Sequence, residues 1–191
     1  MGLEEKKFII AGATTIMHNS QTADPLNYFS KAMKNVTGKK NKTDEDHLEI
    51  ARLQFLAAFY LDDNGEIFWP VDNIKALVHS GAKKSKEGVI CKEAIMIKDT
   101  KFIYRGSKIP EKLWGEGDIN KNPFVNRAIG TIQRSKVMIT RPIFNKWKLK
   151  FTVVLVDTIA DMESVEKWIT VAGRQIGLGD WRPKHGLFEV I

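Results

Sequence analysis

An α+β fold, with helices packed on one face of a largely antiparallel sheet, is the class that three observations predict for this sequence. β-Branched runs and helical periodicities follow one another as strand, helix, strand, helix, strands, hairpin, helix, loop and strand, without strict β–α repetition. Two late runs, 129–140 and 148–156, read as an antiparallel pair joined by Arg141-Pro-Ile-Phe-Asn-Lys-Trp147. That pair is followed by a helix, a glycine-rich loop and a last apolar strand, which together match half of a ferredoxin-like motif.

Taken in order, residues 7–17 are β-branched and stop at the polar His18-Asn19-Ser20, a first strand in which Gly12 marks a bulge or a close approach. Residues 20–42 read as a mobile basic insertion, with only a short helical turn around Tyr28, Phe29 and Met33. Thr43 with Asp46 three residues on resembles a capping box, and Leu48, Ala51, Phe55 and Phe59 repeat at helical spacing, so a helix is predicted over 44–60. Asp62-Asp-Asn-Gly65 is a turn, and 66–70 a short strand stopped by Pro70. Asp72 caps a second helix with Ile74, Leu77, Val78 and Gly81 on one face and Lys83, Lys84 and Lys86 at its basic end. Residues 88–104 alternate enough to be one or two strands, and 105–126, with Pro110, Pro123 and several glycines around Trp114, read as a surface excursion. Along 148–156, Leu149, Phe151, Val153 and Leu155 share one face while Lys148, Lys150 and Thr152 share the other. Asp161 caps a last helix through Val165, Trp168, Ile169, Ala172 and Ile176, which ends at Gly177.

Composition bounds the function. At 191 residues, 43% hydrophobic and 28% charged, the chain is most simply one α+β domain spanning 1–191. No apolar run is long enough to span a membrane, and the opening residues carry neither a secretory cleavage pattern nor the Ser or Thr of an N-myristoylation motif. The single Cys91 excludes an intramolecular disulfide and a cysteine-rich zinc site, and a cytoplasmic setting is the expectation. No metal-ligand spacing links the four histidines, and no Walker loop or nucleophile elbow occurs, so neither metal nor cofactor is expected.

The formal charge of +7 points to a polyanionic partner, and its distribution is more informative. From Ile119 to Val156 there is no acidic residue, while Lys121, Arg127, Arg134, Lys136, Arg141, Lys146, Lys148 and Lys150 all fall there. Single-stranded nucleic acid needs cations for its backbone and flat surfaces for its bases, and here Phe144 and Trp147 interleave with those cations. Gly173, Gly177, Gly179 and Gly186 surround Trp181, Arg182, Lys184 and His185, so the terminal loop reads as a second place where backbone N–H groups and cations meet a phosphate. Lys39 and Lys40 add a basic arm. For any single tryptophan here core or hairpin-corner packing is a better account than stacking, while loop bracing is the alternative for Arg182 and the helix dipole for the lysines at 83–86.

The terminal Ile176-Gly-Leu-Gly-Asp-Trp-Arg-Pro-Lys-His-Gly-Leu-Phe-Glu-Val190 resembles the glycine-rich loop and last strand of the RAMP superfamily, the RNA-binding proteins of CRISPR systems. The first strand running into Met17-His18-Asn19, and Phe68-Trp-Pro-Val-Asp-Asn-Ile-Lys-Ala-Leu77, resemble further segments of that superfamily. Thr140-Arg-Pro142 and Trp147 are similar in character to phage or prophage proteins. The resemblance implies an RRM-like or ferredoxin-like core and a non-catalytic binder of single-stranded nucleic acid, RNA above DNA, that self-associates or joins a larger complex. The resemblance also implies one alternative, an endoribonuclease using His18 as general acid or base; a second, independent of it, is a phage structural or assembly protein whose basic face meets another protein, with no nucleic-acid role.

Overall fold

The computed structural model describes residues 2–20, 24–132 and 134–191. In chain order they form β1 (Leu3–Gly12), β2 (Ile16–Met17), α1 (Tyr28–Thr37), α2 (Asp44–Ala57), α3 (Val71–Lys84), α4 (Gly88–Ala94), β3 (Ile95–Tyr104), α5 (Pro110–Trp114), a 3-10 turn (Ile119–Lys121), β4 (Val125–Ile132), β5 (Ser135–Phe144), β6 (Trp147–Val156), α6 (Met162–Gln175) and β7 (Phe188–Val190). The chain divides into two compact units: the first holds the residues up to Met17, Phe68–Arg105 and Phe144–Ile191, and the second holds His18–Ile67 and Gly106–Ile143.

In the first unit β1, α3, β3, β6, α6 and β7 run β–α–β–β–α–β, and the sheet order β3-β6-β1-β7 is antiparallel throughout. This is the ferredoxin-like arrangement. One face is apolar because the strand period is two: Phe8 and Ile10 of β1, Leu149, Phe151, Val153 and Leu155 of β6, and Phe188 of β7 are all buried. Helices α3 and α6 cover it with Ile74, Leu77 and Val78 and with Val165, Trp168, Ile169 and Ala172. At their crossing, a Cβ on Gly81 would collide with the Trp168 carbonyl, so only glycine lets these helices meet so closely. The Asp161 carboxylate accepts the Ser164 N–H at 2.7 Å and starts α6 as its spacing predicts.

Several local expectations are corrected. The first strand is not continuous over 7–17: β1 ends at Gly12, where the Trp147 ring occupies the space of a Cβ, and the Ala13 and Thr14 N–H groups both donate to the Leu187 carbonyl. The N-cap of α3 is Pro70, and Asp72 lies in the first turn. Residues 88–94 are helical despite Val89 and Ile90, because α4 buries Gly88, Cys91 and Ala94 at a spacing of three and leaves Val89 exposed. Tertiary packing overrides β propensity there. Residues 148–156 do not pair with 129–140: β6 lies between β1 and β3, while β4 pairs with β5, from Val125 opposite Pro142 to Ile132 opposite Ser135.

The second unit contains the two stretches expected to be insertions, together with α2 and the β4–β5 hairpin. Thr43 and Asp46 form the predicted capping box on α2, which buries Ala51, Leu53, Phe55 and Leu56 and leaves Leu48 exposed. Of the expected mobile arm 20–42, residues 28–37 are helical, started by the Asn27 side chain accepting the Phe29 N–H at 2.8 Å; residues 21–23 lie outside the described residues. The excursion 105–126 is anchored, since Leu113 is buried and Trp114 packs on Phe55 with ring centroids 5.3 Å apart. The predicted strand 66–70 reduces to one bridge, Leu61 opposite Ile67, across the turn that the Asp62 carboxylate organises.

Candidate nucleic-acid interface

The other face of the four-stranded sheet carries the cations. Strand register puts Lys150 directly opposite Lys101 of β3 on one side and Ile9 of β1 on the other; Lys148 lies opposite Ile103 and Ala11, and Thr152 opposite Lys7. Lys7, Lys101, Lys148 and Lys150 are exposed, and among the described residues none has an acidic partner, whereas Glu5 on the same face is paired with Lys98. Thr152 shares the face as expected but is buried. Lys7 and Lys101 were missed by the sequence reading. The signal for them is register, which becomes visible only once β6 is known to lie between β1 and β3.

The aromatic half of the expected interface is in the core instead. Phe144 is 1% exposed and lies 4.5 Å, centroid to centroid, from Tyr104, while Trp147 is 3% exposed and donates from Nε1 to the Thr14 carbonyl at 2.8 Å. Neither can stack on a base. Lys146 is exposed in the turn before β6, and Arg134 and Lys136 are exposed at the end of the β4–β5 hairpin, with Arg134 at φ 68°. Arg141 is half-buried in the second unit, Lys39 is paired with Asp46 at 2.5 Å, and Lys40 is exposed.

The terminal loop is also corrected. Five of its backbone donors are used within the loop and its neighbours: Gly177 N–H goes to the Ala172 carbonyl, Leu178 to Gly186, Asp180 to Met17, His185 to Trp181, and Gly186 to Thr15 at 2.7 Å. The Trp181 and Leu187 N–H groups go to the side chains of Asp180 and Thr14. An anion nest needs its donors pointing outward, so Gly177 and Gly186, whose N–H groups point into the protein, serve packing instead. Gly186 has φ +84°, and a Cβ there would strike the Leu178 carbonyl. Gly186→Ala is therefore expected to destabilise the protein by about 2 kcal/mol, measured by urea unfolding; an unchanged midpoint would show that the loop is not seated in this way.

His185 is buried and its Nδ1 lies 2.6 Å from Thr15 Oγ1; burial and the neighbouring Lys184 hold its pKa below the usual histidine value, so it is a neutral brace at pH 7. Arg182 and Lys184 are exposed, and Trp181 is half-buried. The cleft that Trp181, Arg182 and Pro183 line, about 590 Å³, is walled by Ser80 of α3 and Gln175 of α6 and by no strand residue, so it is separate from the lysine face.

His18 is fully buried, with its ring 5.8 Å from Phe59 and 5.9 Å from Tyr60, and burial pushes its pKa down to about 3. A side chain without solvent access cannot reach a ribose hydroxyl, which corrects its candidacy as a general base. Among the described residues no cluster of His, Cys, Asp or Glu suits a metal ion, and no helix is long and apolar enough to cross a membrane.

Strand order, helix layer and exposed cations together define an α+β protein of ferredoxin-like class with a lysine-bearing sheet face. The chain is similar in structure to one in a cryo-EM structure of a type III-B Cmr-β complex bound to cognate target RNA, with a TM-score of 0.44 and 12% identity; the match covers 97% of this chain and 59% of that one. No protein-family model and no curated protein matches the sequence.

Proposed function

We propose that this protein binds single-stranded nucleic acid, RNA in preference to DNA, without cutting it, and does so as a subunit of a larger assembly. The observation that carries the reading is Lys150 directly opposite Lys101, flanked by Lys148 and Lys7, with no acidic partner for any of the four among the described residues. Like charges at directly opposed sheet positions destabilise the fold, and a phosphate backbone lying across the face removes that cost. Because the side chains beside the lysines are Ile9, Ile103 and Ala11 and not aromatic rings, the face grips phosphates rather than reading bases. Arg182 and Lys184 supply a further patch.

The preference for RNA and the assembly role are what the RAMP resemblance implies. Exposed Leu3 and Met96, at the end of the same face away from the lysines, are suitable for contacts with other subunits. The burial of His18 favours binding over catalysis.

Fluorescence anisotropy of a labelled single-stranded RNA across a salt series tests the reading. Affinity is expected to fall steeply and linearly in a log–log plot with salt, with the RNA intact afterwards. Absence of binding at low salt would refute it, and cleavage of the RNA would replace it with an enzymatic reading.

A further inference from the structure

We propose that a cationic cluster in the helix layer of the first unit, formed by Lys75, His79 and Lys83 of α3 and Lys92 of α4, binds a chain of condensed phosphates, free or carried by a nucleotide. The helix layer covers the side of the sheet opposite Lys148 and Lys150, and the inference does not rest on the nucleic-acid reading above.

Lys75, His79 and Lys83 are four residues apart, so they form one stripe along α3. Gly88 lets α4 close on that stripe: a Cβ there would lie 2.8 Å from Lys83 Cγ and 3.3 Å from His79 Nε2. Lys83 and Lys92 are exposed, and Lys75 and His79 are half-buried. Burial first, and then the charges of Lys83, Lys92 and Lys75, hold the His79 pKa below the usual histidine value, which places all three ammonium groups around the ring.

Among the described residues none of the three lysines has an acidic partner. The Glu87 carboxylate, beside Gly88, is occupied by Ser85 Oγ at 2.5 Å and Trp168 Nε1 at 2.8 Å. The helix dipole accounts for Lys83 at the end of α3, but Lys75, in the second turn, gains nothing from it. Like charges four residues apart destabilise a helix, and a bound polyanion turns that repulsion into attraction.

The arrangement narrows the ligand. From Lys75 to Lys83 the stripe rises about 12 Å, more than a single phosphate spans. A strand of phosphodiesters carries one charge per phosphate, whereas condensed phosphates put several charges into a short length. Their terminal group, with a second ionisation near about pH 6, can share a proton with His79. Lysine ammonium groups act on phosphate as point charges and carry no preference for a base.

The test follows the His79 imidazole resonances of the full-length protein by NMR through pH titrations at fixed ionic strength, with tripolyphosphate, with ATP and with orthophosphate. Tripolyphosphate is expected to shift His79 saturably and to move its titration midpoint to higher pH. Orthophosphate at the same concentration is expected to leave His79 unmoved, as is His47, exposed on α2, with every probe. Tighter binding of ATP than of tripolyphosphate assigns the chain to a nucleotide, and weaker binding assigns it to a free polyphosphate; either result upholds the site. Lys75→Gln with Lys92→Gln is expected to weaken tripolyphosphate at least tenfold while the thermal midpoint stays near wild type. No saturable shift from tripolyphosphate or ATP, equal affinity for orthophosphate, or an equal shift at His47 would each overturn the proposal, and none of these depends on the variant. Undiminished affinity in a folded double variant would overturn it as well. RNA binding by the sheet face is expected to be the same whichever result is found.

Discussion

Reversing the charge at Lys148 and Lys150 together is expected to weaken single-stranded RNA binding about a hundredfold at physiological salt. Each lysine–phosphate contact on a single strand contributes about 0.7 to the slope of log affinity against log salt. Losing two contacts makes the slope shallower by about 1.4 and costs roughly tenfold near physiological salt, and the repulsion introduced by two carboxylates supplies the remainder. Both side chains are exposed on central strand β6, so the fold should tolerate the change, which circular dichroism checks. The control is Lys83→Glu with Lys84→Glu, exposed at the end of α3 in the helix layer. Equal losses in the two double variants would mean that net charge, and not the sheet face, drives binding.

The second large effect is acid sensitivity arising from His18. Its folded pKa of about 3 lies below the ordinary value of 6.5, so between those values the unfolded chain takes up a proton that the native chain does not. Stability from this residue is therefore complete above about pH 6.5 and is lost as pH falls toward 3. Between pH 7 and pH 4.5 the loss is about 2–3 kcal/mol. Carboxylates titrate in part of the same range, so the informative quantity is the difference between wild type and His18→Leu in urea unfolding at the two pH values. The variant is expected to lose that much less stability on acidification. Parallel pH profiles would show that His18 is hydrated and protonated in the native state, which would also restore it as a candidate acid or base.

The sequence reading recovered those features whose cause is local. The capping box at Thr43 and Asp46, the Asp161 cap and the alternation of Leu149, Phe151, Val153 and Leu155 depend on neighbours a few residues away, and all are present. Features that depend on distant partners were misread. Val89 and Ile90 look like strand residues until α4 finds α3 to pack on, and Trp147 looks like an exposed ring until Gly12 makes room for it. The glycines of the terminal loop suggested an anion nest, but whether a backbone N–H is free is decided by Thr15, Met17 and the other distant groups that accept it.

By itself the sequence determined the α+β class, the capped starts of α2 and α6, the basic field between Ile119 and Val156 and the exposure of Lys148 and Lys150, because strand alternation and capping are properties of a short window. Tertiary structure alone decided that β6 lies between β1 and β3, and with that placement it brought Lys7 and Lys101 to the same face. The physical reason is that strand pairing is set by hydrogen bonding and burial between residues far apart in the chain, and no local pattern encodes which strand becomes the neighbour.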